Sequence, residues 1–182
     1  MKFFIGVIGA SAHTPDIPNE TAMIAAYEVG KLLAEKGAVV LTGGGSGIME
    51  AASKGASEAG GMVAAILPGM DKTEANPYVD IPITTGIGFA RNVFCVRASD
   101  AVIMISGGTG TLNELTAAAN ENISPIVLEG TGGWADRVRG LTLDGTYLDE
   151  RRTTAIHFAS NPADAVDLAL ELGKKRHQPK TE

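Results

Sequence analysis

The sequence is poor in cysteine, aromatic residues and positive charge, and each shortage removes a class of protein. Cys95 is the only cysteine in 182 residues. One thiol cannot close an internal disulfide or supply a cysteine zinc cluster, and it fits a reducing, cytoplasmic setting. It stands in the apolar run Val93-Phe94-Cys95-Val96, which reads as core rather than nucleophile. Aromatic residues make up 5% of the chain, so the core must be built from aliphatic and small side chains. A net charge of −6 argues against a general nucleic-acid binder, which needs a basic face. No apolar run reaches the roughly 20 residues that span a bilayer, so no membrane partner is expected.

Several chemical signatures are also missing. No His, Asp and Glu cluster has metal-ligand spacing, and no metal site is expected. No Gly-x-Ser-x-Gly elbow marks a serine hydrolase. No Gly-Lys-Ser/Thr follows a glycine turn as in a P-loop. Nothing marks a lysine that carries pyridoxal phosphate. The start, Met1 to Ala12, has the outline of a signal peptide, but its apolar run is short and interrupted by Gly6, so a buried first strand is the expectation.

What the chain does have is glycine, 23 residues of it, and a regular alternation of short apolar runs with helical patterns. Strands are expected at 3–8, 38–41, 62–67, 81–84, 100–105, 125–128 and 155–158. Helices are expected from Asn19 or Thr21 to Gly37, then at 48–59, 89–98, 112–120, 134–139 and from Pro162 to about Leu172. Such alternation predicts an α/β domain over residues 1–173, a doubly wound and mostly parallel sheet with helices on both faces. A polar tail, 174–182, is expected to fray.

Two glycine-rich turns stand out. Gly43-Gly44-Gly45-Ser46-Gly47 follows the second strand, and Ser106-Gly107-Gly108-Thr109-Gly110-Thr111 follows the fifth. A strand-to-helix turn leaves backbone N–H groups without partners at the positive end of the helix dipole, and bare glycines let an anion reach them. In open parallel sheets ligands sit beyond the carboxyl ends of the strands. These residues are therefore expected to bind phosphate, together with Ser11 after the first strand. No nucleic acid or membrane partner is expected.

The run Ser106-Gly107-Gly108-Thr109-Gly110-Thr111-Leu112-Asn113-Glu114 resembles the Pro-Gly-Gly-x-Gly-Thr-x-x-Glu motif of the Lonely Guy phosphoribohydrolases and their lysine decarboxylase-like relatives. Thr42 to Ala52 and Arg91 also fit that superfamily. Ile66-Leu67-Pro68-Gly69, Glu74 to Tyr78, Gly86 to Asn92 and Gly132-Gly133-Trp134-Ala135 resemble its molybdenum-cofactor carrier branch. The resemblance implies a Rossmann-like fold, a homo-oligomer (dimer or tetramer), and a pocket for a phosphorylated heterocycle, either molybdenum cofactor or a nucleoside monophosphate. In an enzyme of this kind Arg91 and Glu114 would be the catalytic pair. The hydrolases carry a His-Glu-Arg-Lys segment where this chain has Phe89-Ala90-Arg91-Asn92, and Ser106 replaces their proline. Those departures favour binding over hydrolysis, with a nucleotide-binding sensor as a further alternative. His13, Asn76 and Asp80 are candidates for the pocket rim. Glu50 is expected to support its helix start, Trp134 to pack or stack on a ligand, and Arg97, His157 and His177 to play no part in the site.

Overall fold

The computed structural model describes residues 2–12 and 18–177. Seven parallel strands form one sheet in the order β4-β3-β2-β1-β5-β6-β7. They are β1 (Phe4–Gly9), β2 (Val39–Thr42), β3 (Met62–Leu67), β4 (Ile81–Thr84), β5 (Ala101–Ile105), β6 (Ser124–Leu128) and β7 (His157–Ala159). The five helices are α1 (Glu20–Glu35), α2 (Ile48–Glu58), α3 (Arg91–Arg97), α4 (Thr109–Asn120) and α5 (Pro162–Arg176). The expected doubly wound, Rossmann-like α/β fold is therefore present. Strand order reverses between β1 and β5, and a crevice opens there beyond their carboxyl ends.

The central strands are apolar on both faces because helices cover both. One core joins Val7, Val40, Ile103 and Ile126 to α1, α2 and α5. The other face splits into a cluster under α4, with Met104, Leu115 and Val127, and a small one under α3, with Leu41, Ile66 and Cys95. Each fully buried Ile or Leu contributes about 1.5–3 kcal/mol. Helices α1 and α2 meet backbone to backbone. A Cβ on Gly30 would lie 2.0 Å from the Ala52 carbonyl oxygen, and one on Gly55 2.0 Å from that of Tyr27.

The helix starts follow their capping residues. The Asn19 side chain accepts from the Ala22 N–H at 2.8 Å, and Asn161 does the same for Asp164 at 3.0 Å ahead of Pro162. Most boundaries shift by one to three residues, α4 beginning at Thr109 rather than 112, and two assignments differ more. Helix α5 runs through Lys174 and Lys175 to Arg176, into the stretch assigned to the tail. Basic residues at a helix C-terminus suit its dipole, Arg176 reaches the Ser99 carbonyl, and His177 meets Asp100 at 2.7 Å. The helix expected at 134–139 is instead a turn followed by a short 3-10 segment at Val138–Leu141. No helix among the described residues is long and apolar enough to cross a membrane.

Candidate functional site

A cavity of about 330 Å³ occupies the crevice at the strand-order reversal. Gly9, Ala10 and Ser11 line it from the end of β1, and Gly108 to Thr111 from the start of α4. Arg91 and Asn92 of α3 and Glu114 of α4 complete the polar wall. Cβ atoms built on Gly108 and Gly110 would meet nothing within 4 Å, so the first turn of α4 lies bare to the cavity. That turn holds N–H groups without helical partners at the positive end of the dipole. The fold thus joins Ser11, the second glycine turn, Arg91 and Glu114 around one hollow.

The first glycine turn is placed differently. None of Gly43, Gly44, Gly45, Ser46 and Gly47 lines the cavity, although Met49 just beyond does. Its glycines serve close approach. A Cβ on Gly43 would stand 2.2 Å from Nη2 of Arg91, and one on Gly47 2.5 Å from the Ala10 carbonyl oxygen, at a φ of +71°. The Gly44 N–H donates to Thr42 Oγ1 at 3.0 Å. Asn76 braces the turn, its side-chain nitrogen donating to the carbonyl of Gly45 at 3.1 Å. Asn76 therefore shapes the site from behind rather than from its rim. Asp80 accepts from the Val63 N–H at 2.8 Å and caps the edge of the sheet. His13 lies outside the described residues.

Arg91 and Glu114 are buried, 8% and 7% exposed. One contact joins them, Nη1 to Oε1 at 3.4 Å, longer than a good charge-assisted bond. The same Nη1 lies 3.3 Å from Cys95 Sγ. The Arg91 Nε is buried without a hydrogen-bond partner among the described residues. This guanidinium is held in place by a missing side chain at Gly43 and a thiol one helical turn on, yet its donors are not all used. Burial pushes the Glu114 carboxyl up to about 7, and the nearby Arg91 charge offsets only part of that rise. Burial likewise pushes the Cys95 thiol up to about 11, so at neutral pH it is a packed thiol, as its apolar run implies.

The second turn is held by its own bonds. Ser106 adopts a φ of +55°, which proline cannot take, and its N–H donates to Thr131 Oγ1 at 2.8 Å. Thr131 in turn donates to the Leu128 carbonyl at 2.7 Å. The positive φ and the N–H bond together exclude the proline of the related motif at this position. Trp134 packs beside α4, with its backbone N–H donating to the Gly107 carbonyl at 3.0 Å. It steadies the turn and does not line the cavity. Arg97 pairs with Glu121 at 2.9 Å, away from the site.

Five wall residues were not singled out as site residues by sequence: Gly9, Ala10, Met49, Phe89 and Asn92. Phe89 and Asn92 were visible only as departures from the hydrolase segment. A second hollow of about 280 Å³ lies between α4 and the Tyr147–Thr154 loop. Its arginines are already engaged, Arg151 by Asp149 and Arg152 by Asp144, and neither glycine turn reaches it.

The fold and crevice define a Rossmann-like α/β domain with a cavity over a bare helix start. The family model described as the SLOG cluster4 family matches residues 2–166, and the chain belongs to that family. A structural-genomics target solved by X-ray diffraction is 38% identical, with a TM-score of 0.87 over 94% of this chain and 99% of its own. The molybdenum cofactor binding protein of the phototrophic bacterium Rippkaea orientalis is 33% identical, with a TM-score of 0.78 over 94% of this chain and 98% of its own. The cytokinin riboside 5'-monophosphate phosphoribohydrolase of Mycobacterium tuberculosis is 31% identical over 153 residues, 78% of this chain and 81% of that protein. The chain thus sits within the superfamily that the glycine motif resembles.

Proposed function

We propose that the chain binds or carries a phosphorylated heterocycle, with molybdenum cofactor as the candidate cargo. The bare first turn of α4 on the floor of the cavity carries this reading. Phosphate would lie on the N–H groups of Gly108 to Thr111, with the hydroxyls of Thr109 and Thr111 beside it and Arg91 supplying the countercharge. The Arg91 Nε, buried without a partner among the described residues, suits a site that gains an acceptor when a ligand arrives. The likeness to the Rippkaea cofactor-binding protein supports cofactor as cargo. Protein purified from a host that makes the cofactor should carry pterin fluorescence and molybdenum. Binding of nucleotide together with failure to bind cofactor would overturn the assignment.

A second reading is favoured by the Arg91–Glu114 pair and by the mycobacterial relative. A carboxyl that titrates near 7 can act in proton transfer at neutral pH, and its charged form can stabilise a cation-like sugar. In this reading the chain cleaves the N-glycosidic bond of a nucleoside 5′-monophosphate. Release of free base from AMP, abolished by Glu114→Ala, is the supporting result, and no release excludes it.

Self-association belongs to the same proposal. Ile81 and Ile83 of the edge strand, Met70, Ile87 and Phe94 are 43–86% exposed. At about 200 Å² for a free side chain of this size, these five expose on the order of 550 Å², about two-thirds of the ~800 Å² per partner of a standard interface. We assign this face to a second copy of the chain. Light scattering should give a dimer or larger assembly, and Phe94→Asp with Ile83→Asp should give a monomer. A monomeric wild type contradicts the assignment.

A further inference from the structure

Two side chains of the cavity remain unexplained once the phosphate turn, Arg91 and Glu114 are assigned. Asn92, on the first turn of α3, is 4% exposed. It lines the cavity, so what exposure it has opens there. A side-chain amide at that wall can donate to and accept from a ligand that enters. Phe89, on the 3-10 turn just before α3, is 85% exposed and lines the same cavity. An aromatic ring exposed at a cavity wall offers a flat face to a ligand. Met49 also lines the cavity, and its methyl would lie 2.9 Å from a Cβ on Gly45. The glycine there gives the thioether room to settle.

We propose that Phe89 and Asn92 form the subsite that recognises the ring of the ligand, a planar nitrogen heterocycle such as a purine or pterin. This rests on the phosphorylated-ligand reading of the same cavity. Phe89 offers one face for stacking, and Met49 adds a soft, adaptable wall to the same cavity. Asn92 offers a donor and an acceptor side by side, which matches the adjacent donor and acceptor on the edge of such a ring. A sugar or an alkyl chain presents no such flat face. The choice falls on Phe89 and Asn92 rather than Trp134, because Trp134 does not reach the cavity. These are also two of the positions at which the chain departs from the hydrolase segment. A neutral, edge-reading asparagine and a stacking ring thus replace charged chemistry.

The test uses three probes on the full chain: ribose 5-phosphate, AMP and GMP, by calorimetry. Guanine shares with pterin the 2-amino-4-oxo ring. Wild type should bind at least one nucleotide about tenfold or more tighter than ribose 5-phosphate, the range of one stacked base. Phe89→Ala should remove that gain while changing ribose 5-phosphate affinity less than twofold. Asn92→Asp keeps the shape but presents acceptors only, so it should shift the GMP-to-AMP preference about tenfold toward GMP, whose edge is donor-rich. Phe89→Leu, which keeps apolar bulk without an aromatic face, separates stacking from packing, and light scattering on each variant separates ring binding from self-association. If ribose 5-phosphate binds but the nucleotides bind no tighter, or if the variants weaken all three probes equally, the ring subsite is wrong and the phosphate site stands. If no probe binds, the phosphorylated-ligand reading fails with it.

Discussion

Replacing Glu114 with glutamine removes the buried ionisable group and keeps its size. In the folded chain the carboxyl holds its proton up to about pH 7, against an ordinary value of 4.5. Its folded value lies above its unfolded one, so its favourable contribution is fully present below about pH 4.5 and is lost as pH rises through about 7. The gap between those values corresponds to about 3 kcal/mol. Glutamine also leaves the Arg91 charge without its carboxylate, which is costly in itself when the pair is ionised. The informative quantity is therefore the pH dependence of the stability difference, read by urea unfolding of both proteins from pH 4.5 to 8.5. The wild-type stability relative to Glu114→Gln should fall by up to about 3 kcal/mol, most steeply between about pH 5 and 7. A flat difference, or one that rises with pH, would refute the reasoning. It would mean that Arg91 holds Glu114 ionised despite its burial.

Other substitutions test the scaffold around the site. Ser106→Pro forfeits the bond to Thr131 and forbids the φ of +55°, so thermal unfolding should show a loss of about 3 kcal/mol or more. Gly30→Ala places a Cβ 2.0 Å from the Ala52 carbonyl oxygen, and should cost about 1–3 kcal/mol by forcing α1 and α2 apart. Gly110→Ala meets nothing in the protein. It should leave the melting temperature unchanged or raised, since alanine suits a helix, while weakening phosphate binding. Cys95, buried and with its thiol pushed up to about 11, should resist iodoacetamide at pH 8 in the native protein and react once the chain is unfolded.

The alternation of apolar runs and helical patterns carried the strand and helix assignments, because parallel strands buried on both faces read as continuous apolar segments. Glycine carried the turns but not their separate roles. Gly108 and Gly110 open the start of α4 to the cavity, whereas Gly43 makes room for a guanidinium 48 positions away in the chain. No local pattern encodes that contact, since it depends on how β2 and α3 come together. The paired burial of Arg91 and Glu114 was foreseeable from the motif, but the rise of the carboxyl was not, because it depends on how completely the helices exclude water. Asn92 and Phe89 were hidden for a similar reason. Neither has a local pattern that marks it, and only the fold brings both to the cavity wall. The end of α5 was misplaced because Lys174, Lys175 and Arg176 look like a solvated tail, and their link to Ser99 is long-range.

The central claim is that phosphate sits on the first turn of α4. Backbone amide NMR during titration with ribose 5-phosphate tests it most directly. The account predicts that the largest shifts fall on Gly108, Thr109, Gly110 and Thr111, with smaller ones at Ser11. Largest shifts at Gly43 to Gly47 or along Tyr147 to Thr154, or a titration that moves no amide, would contradict it.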